Sequence, residues 1–113
     1  MQGIDRVRRV SELVRRRVSQ FILRELVDES LGIVSVTALD MSRDLQQATV
    51  YISTLARGSD IENILAVLED NVPAIRRDLA KSLSLRRVPN LTFRYDESVE
   101  RGRRLTKIID ELD

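Results

Sequence analysis

The stretch Ile61-Glu62-Asn63-Ile64-Leu65-Ala66-Val67-Leu68-Glu69-Asp70-Asn71-Val72-Pro73-Ala74-Ile75-Arg76-Arg77-Asp78-Leu79 decides how the rest of the chain is read. Ile61, Ile64, Leu65 and Leu68 recur at helical spacing. Ile75, Leu79 and Leu83 follow at steps of four, with Arg76, Arg77, Asp78 and Lys81 on other faces. Between the two runs stands Pro73, which lacks an amide hydrogen and whose ring clashes with the preceding turn, so the first helix should end there. Proline also suits the first turn of a new helix, with Asn71 or Val72 as its cap. The segment therefore predicts two short helices meeting at an angle, with a single kinked helix as the alternative. Arg57-Gly58-Ser59-Asp60, just upstream, reads as a loop followed by a cap.

Working outward, the texture from Ile33 to Thr54 is β-branched: Ile33, Val34, Val36 and Thr37, then Thr49, Val50, Tyr51 and Ile52. Asp40-Met41-Ser42-Arg43-Asp44 between them is rich in turn formers, which predicts an antiparallel hairpin. Ala48, Val50 and Ile52 alternate with Thr49, Tyr51 and Ser53, implying one buried and one wetter face. A hairpin of this kind is not stable alone, so a helix should cover it. The candidate runs from Arg6 to Val27, where Val7, Val10, Leu13, Val14, Val18, Phe21, Ile22 and Leu26 form an apolar stripe. Asp5 is the expected N-cap and Gly32 lies just past the end. On the other side, Val88-Pro89 forces an extended entry into a third strand, Leu91-Thr92-Phe93-Arg94-Tyr95. Asp96-Glu97-Ser98 then caps a last helix with Val99, Leu105, Ile108, Ile109 and Leu112 apolar. The order is helix, strand, strand, helix, helix, strand, helix. It predicts an α+β layer, a three-stranded sheet covered by helices on one face, in one domain over residues 1–113.

The composition excludes much chemistry. Cysteine and histidine are both absent from the 113 residues, which removes disulfides, Cys/His zinc sites, thiol nucleophiles and imidazole bases. Neither a catalytic residue, a metal site nor a cofactor is expected. The carboxylate pairs Asp40/Asp44 and Glu97/Glu100 lie at turn or helix-start positions, where carboxylates cap backbone amides. No apolar run approaches the roughly 20 residues that span a bilayer, and no secretory segment follows Met1, so a cytoplasmic address and no membrane contact are expected.

Charge is more informative. The net charge of +1 conceals blocks: residues 1–24 carry seven arginines against Asp5 and Glu12, and residues 25–70 carry nine acids against Arg43 and Arg57. Residues 71–107 then carry ten basic groups against Asp78, Asp96, Glu97 and Glu100. Should the fold bring the two basic flanks together, they form one positive face of the kind that meets nucleic acid. Seventeen of the nineteen basic residues are arginine, whose planar fork suits phosphate oxygens and stacks on bases. The clusters Arg15-Arg16-Arg17, Arg76-Arg77, Arg86-Arg87 and Arg103-Arg104 concentrate like charge and call for an anion. Aromatic residues are few: Phe21 and Phe93 read as core, and Tyr51 and Tyr95 as core or edge packing. With so little stacking capacity, recognition is expected to rest on shape and phosphate geometry in folded RNA.

Leu39-Asp40-Met41-Ser42-Arg43-Asp44-Leu45 followed by Ala48-Thr49-Val50-Tyr51 resembles the hairpin of the bacterial ribosome-binding factor A family. Ile75-Arg76, Leu85-Arg86-Arg87-Val88-Pro89-Asn90-Leu91-Thr92-Phe93-Arg94-Tyr95-Asp96 and the region from Arg6-Val7 to Ile22 ahead of Leu31-Gly32 are similar to it too. The resemblance covers nearly the whole chain. It implies a type II KH-like fold and a non-enzymatic assembly factor that binds the 30S subunit and 16S rRNA. It further implies a role in late maturation and 16S rRNA processing, and in growth in the cold.

KH modules that clamp single strands use a Gly-x-x-Gly loop, but Gly3, Gly32, Gly58 and Gly102 include no such pair. The family instead resembles a helix–kink–helix with an Ala-x-Gly interruption, and the corresponding place holds Asn71, Val72 and Pro73. Proline keeps the kink but offers no amide to a phosphate. Many family members carry a longer charged tail, a part of the pattern expected to lie outside this sequence.

The expected RNA-binding residues are Arg76, Arg77, Lys81, Arg86 and Arg87, extended by Arg8, Arg9, Arg15 and Arg16, in a protein working as a monomer. The competing expectation is a protein-interaction module that docks its acidic middle segment, Asp60, Glu62, Glu69 and Asp70, on a basic ribosomal protein.

Overall fold

The computed structural model describes residues 2–26, 31–56 and 58–98. Its first helix, α1 (Gln2–Phe21), buries Val14 and Val18 completely and packs Val10 and Phe21 against the same core. It starts ahead of Asp5, which is therefore not the N-cap. No proline interrupts Gln2-Gly3-Ile4, and the Asp5 carboxylate serves as well inside the first turn, where it meets the positive end of the helix dipole. The α-helix does not run on to Val27 either. It widens into a π-helical turn at Ile22–Leu26, which buries Ile22, packs Leu26 against the core and leaves Leu23 exposed. Val27 lies outside the described residues.

The hairpin forms as its alternation dictates. Strand β1 (Val34–Met41) pairs antiparallel with β2 (Gln47–Thr54), from Val34 opposite Thr54 to Met41 opposite Ala48. Asp40 and Met41, expected in the turn, belong to β1, and the loop is residues 42–46. Asp44 Oδ1 accepts the Ser42 hydroxyl at 2.6 Å and the Gln46 amide at 3.1 Å. These bonds hold its carboxyl below the usual range and make it a turn cap. Thr37 interrupts the register between Val36 and Ala38, a bulge whose single hydroxyl hydrogen is donated to Asp96 and shared weakly with the Tyr51 carbonyl at 3.3 Å.

Helix α2 (Ser59–Asp70) has Gly58 as its N-cap, at φ 62°, so neither Ser59 nor Asp60 is the cap. The positive φ there suits glycine and disfavours either alternative. Helix α3 (Val72–Leu83) follows at once with Pro73 in its first turn. Asn71, at φ −94° and ψ 0°, serves both helices. Its amide and its Nδ2 donate to the last carbonyls of α2, Nδ2 reaching Val67 O at 2.8 Å, while its carbonyl accepts from Ile75 N at 3.0 Å. Two helices rather than one kinked helix result.

Strand β3 (Asn90–Tyr95) completes the sheet in the order β1-β2-β3, running parallel to β2 with Gln47 beside Asn90 and Ile52 beside Tyr95. Val34, Ala48, Val50, Ile52, Leu91 and Phe93 lie on the covered face. They form one cluster with Val14, Val18 and Ile22, Ile64 and Leu68 of α2, and Ile75 and Leu79 of α3. The expected last helix opens at Glu97 and Ser98, and its continuation past residue 98 lies outside the described residues. At its threshold Asp96 Oδ1 accepts the Ser98 amide at 3.0 Å. No helix among the described residues is long and apolar enough to cross a membrane.

Candidate nucleic-acid interface

Helices α1 and α3 lie side by side, clasped by one carboxylate. Arg17 presents a bidentate fork to Asp78, Nε to Oδ2 at 2.8 Å and Nη2 to Oδ1 at 2.9 Å, and Arg24 Nη2 approaches Oδ1 at 3.7 Å. The Arg17 bond, supported by the charges of Arg24 and Lys81, holds the Asp78 carboxyl below its ordinary range. The Val14/Val18 stripe faces the core, so Arg9 and Arg16 project from the outer side of α1. On α3, with Ile75 and Leu79 buried, Arg77 and Lys81 do the same. Two adjacent helices, one from each basic flank, therefore carry arginine or lysine on their outer sides.

The candidate residues differ in what they already hold. Arg8, Arg9, Arg77, Lys81, Arg86 and Arg87 are exposed and have no hydrogen bond or ion pair among the described residues. Arg15 and Arg16 share Glu12: Arg15 Nη2 lies 2.6 Å and Arg16 Nε 3.1 Å from Oε1. The Arg15 bond first, and the Arg16 bond with it, pull the Glu12 carboxyl down to about 2. Arg76 is half-buried and turned inward, donating from Nε to Pro89 O at 3.1 Å and from Nη2 to Val88 O at 3.0 Å. At the kink, Val72 packs on the core and Pro73 is exposed.

The sequence did not single out Arg17 and Arg24 as site residues. Their separation of seven would place both on one flank of a continuous α-helix, which is a signal, although Arg24 in fact stands in the π-helical turn after α1. Their partner Asp78, 61 residues from Arg17, leaves none.

Of the acidic set, Asp60, Glu62 and Asp70 are exposed on α2, while Glu69 Oε1 accepts the Phe93 amide of β3 at 2.8 Å. No group of three or more Asp or Glu side chains among the described residues is arranged to hold a metal ion. A polar cleft of about 250 Å³ opens beside Arg76 and Arg87.

Residues 6–109 match the family model described as ribosome-binding factor A. The ribosome-binding factor A of Nitrosococcus oceani is 38% identical over 110 residues, covering 97% of this chain and 87% of that protein. The crystal structure of ribosome-binding factor A from Thermus thermophilus superposes with a TM-score of 0.69 at 24% identity, over 79% of this chain and 94% of the other. A homology model of the Thermus protein, fitted into the cryo-EM map of a complex with 30S, gives 0.68 at 24% identity, over 79% and 93%. At that identity the structural matches speak for the fold, which is the α+β layer read from the residues and the KH-like arrangement that the family resemblance implies.

Proposed function

Because the chain belongs to the ribosome-binding factor A family, we propose that it is an assembly factor that binds the 30S subunit through 16S rRNA. On this reading it acts as a single cytoplasmic KH-like domain and a monomer, without catalysis. It supports late maturation and 16S rRNA processing, with most effect in the cold. The observation that carries the RNA contact is the Arg17–Asp78 clasp, which sets two arginine-bearing helices edge to edge. Arg9 and Arg77 offer unpaired guanidinium groups on either side of it. Phosphates spaced along a folded RNA would bridge them, each displacing counterions. The fit of the Thermus relative into the map of a complex with 30S supports the choice of particle.

Co-sedimentation with purified 30S particles tests this. With five or six phosphates neutralised, log K should fall against log salt with a slope of roughly −4 to −5. Arg9→Glu and Arg77→Glu should each weaken binding and flatten that slope while leaving thermal melting unchanged. A slope near zero, or full binding by the double variant, would refute the electrostatic contact.

A further inference from the structure

The cleft beside α3 differs from the helix surface in kind. It is lined by Gln46, Arg76, Arg87, Val88 and Asn90, brought together from the β1–β2 loop, α3, the loop after α3 and the start of β3. The sheet fixes the two carboxamide residues side by side, since Asn90 N donates to Gln46 O at 2.8 Å and Gln47 stands opposite Asn90 in the parallel register. Their side chains, and that of Arg87, have no partner among the described residues. Arg76 is held in place by Val88 O and Pro89 O, which occupy Nε and one hydrogen of Nη2 and leave Nη1 free. No carboxylate lines the cleft.

Two guanidinium groups, one of them already immobilised, make an anion site that loses little freedom on binding. Beside them, each carboxamide offers both a donor and an acceptor, the complement of a nucleobase edge. Val88 adds an apolar side chain to the lining. At about 250 Å³ the cleft lies below the range of most small-molecule pockets, so it has room to engage one nucleotide at most and not an extended strand. The geometry points to a site for a single unpaired RNA nucleotide, its phosphate on Arg76 and Arg87 and its base edge on Gln46 and Asn90. This deepens the RNA-binding reading and rests on it: the outer helices grip phosphates without regard to sequence, and the cleft reads one base.

NMR titration of the full chain with the four nucleoside 5′-monophosphates and with inorganic phosphate tests the site. The expected result is saturable shifts of the Gln46 and Asn90 side-chain amides and the Arg76 Nε–H, with one base preferred by about tenfold over the weakest. Gln46→Ala with Asn90→Ala should erase that preference and leave phosphate binding intact. Asn90→Asp, a near-isosteric second variant, should weaken all four monophosphates by adding a repelling charge. Equal affinity for inorganic phosphate and all four monophosphates, or no shift at these residues, overturns the proposal. Salt-sensitive 30S binding by the wild type alongside such a result would place the failure in the cleft alone. Loss of 30S binding in the wild type would instead strike the RNA-binding reading itself.

Discussion

Helices α2 and α3 have the same length, 12 residues, and the same apolar anchoring, yet they are fastened by different polar clasps. Each presents two buried side chains one turn apart, Ile64 and Leu68 on α2, Ile75 and Leu79 on α3. Beyond that they diverge. Glu69 of α2 accepts a neutral amide, Phe93 N, from the edge of the sheet. Asp78 of α3 takes a charged fork from Arg17 and a longer contact from Arg24. An amide needs only an acceptor, whereas a guanidinium fork needs two oxygens and is strengthened by their charge. The helix whose outer face is read as meeting RNA is thus the one whose seam is ionic.

The largest effects should show that the apolar halves are equivalent. Leu68→Ala and Leu79→Ala should each lower unfolding free energy in urea by about 2–5 kcal/mol. A loss confined to one of them would mean that only one helix carries the core. A smaller effect separates the clasps. Glu69→Gln keeps an acceptor for Phe93 N and should melt close to wild type, whereas Asp78→Asn loses the charged fork and should melt a few degrees lower, the gap narrowing in high salt. Equal losses would show that Glu69 also acts through charge.

The smallest effect is in acid. The Asp78 carboxyl is held below its ordinary value in the folded chain, so the folded state binds fewer protons than the unfolded state there. Its contribution is present above the ordinary carboxylate range and is lost as pH falls through the lowered value. Melting curves below pH 4 should therefore fall less steeply for Asp78→Asn than for wild type. Glu12, Asp44 and Asp96, lowered in the same sense, leave part of the slope in place.

The fold was legible where one physical rule acts along the chain. The period of Val14, Val18 and Ile22, the alternation of Ala48, Val50 and Ile52, and the missing amide of Pro73 each set a local element, and those elements stand. Caps were less legible, because a terminus can be satisfied in several ways: Gly58 serves α2 through its conformation, and Asn71, the expected cap of α3, turns its side chain back to Val67 O of α2. The direction of β3 carries no local signal at all. In the candidate site, the basic blocks were visible and their internal neutralisation was partly so. Glu12 stands three and four residues from Arg15 and Arg16, a spacing that sequence displays. Asp78 is far from Arg17 in sequence, and Gln46 and Asn90 carry no charge to draw notice. Arg76 illustrates the converse, since the bare carbonyls of Val88 and Pro89, which occupy it, become apparent only once the loop after α3 is folded.

The parallel register between β2 and β3 sets an order on how the molecule comes into being. The β1–β2 hairpin joins near neighbours and can close as soon as it leaves the exit tunnel, but Gln47 must wait for Asn90 and Ile52 for Tyr95. The sheet thus stays two-stranded, with Phe93 missing from the core, until most of the polypeptide has been synthesised, and loop closure over that separation slows the final step. Gln46 and Asn90 meet only at that step, so a nascent chain has the arginines of α1 well before it has the cleft.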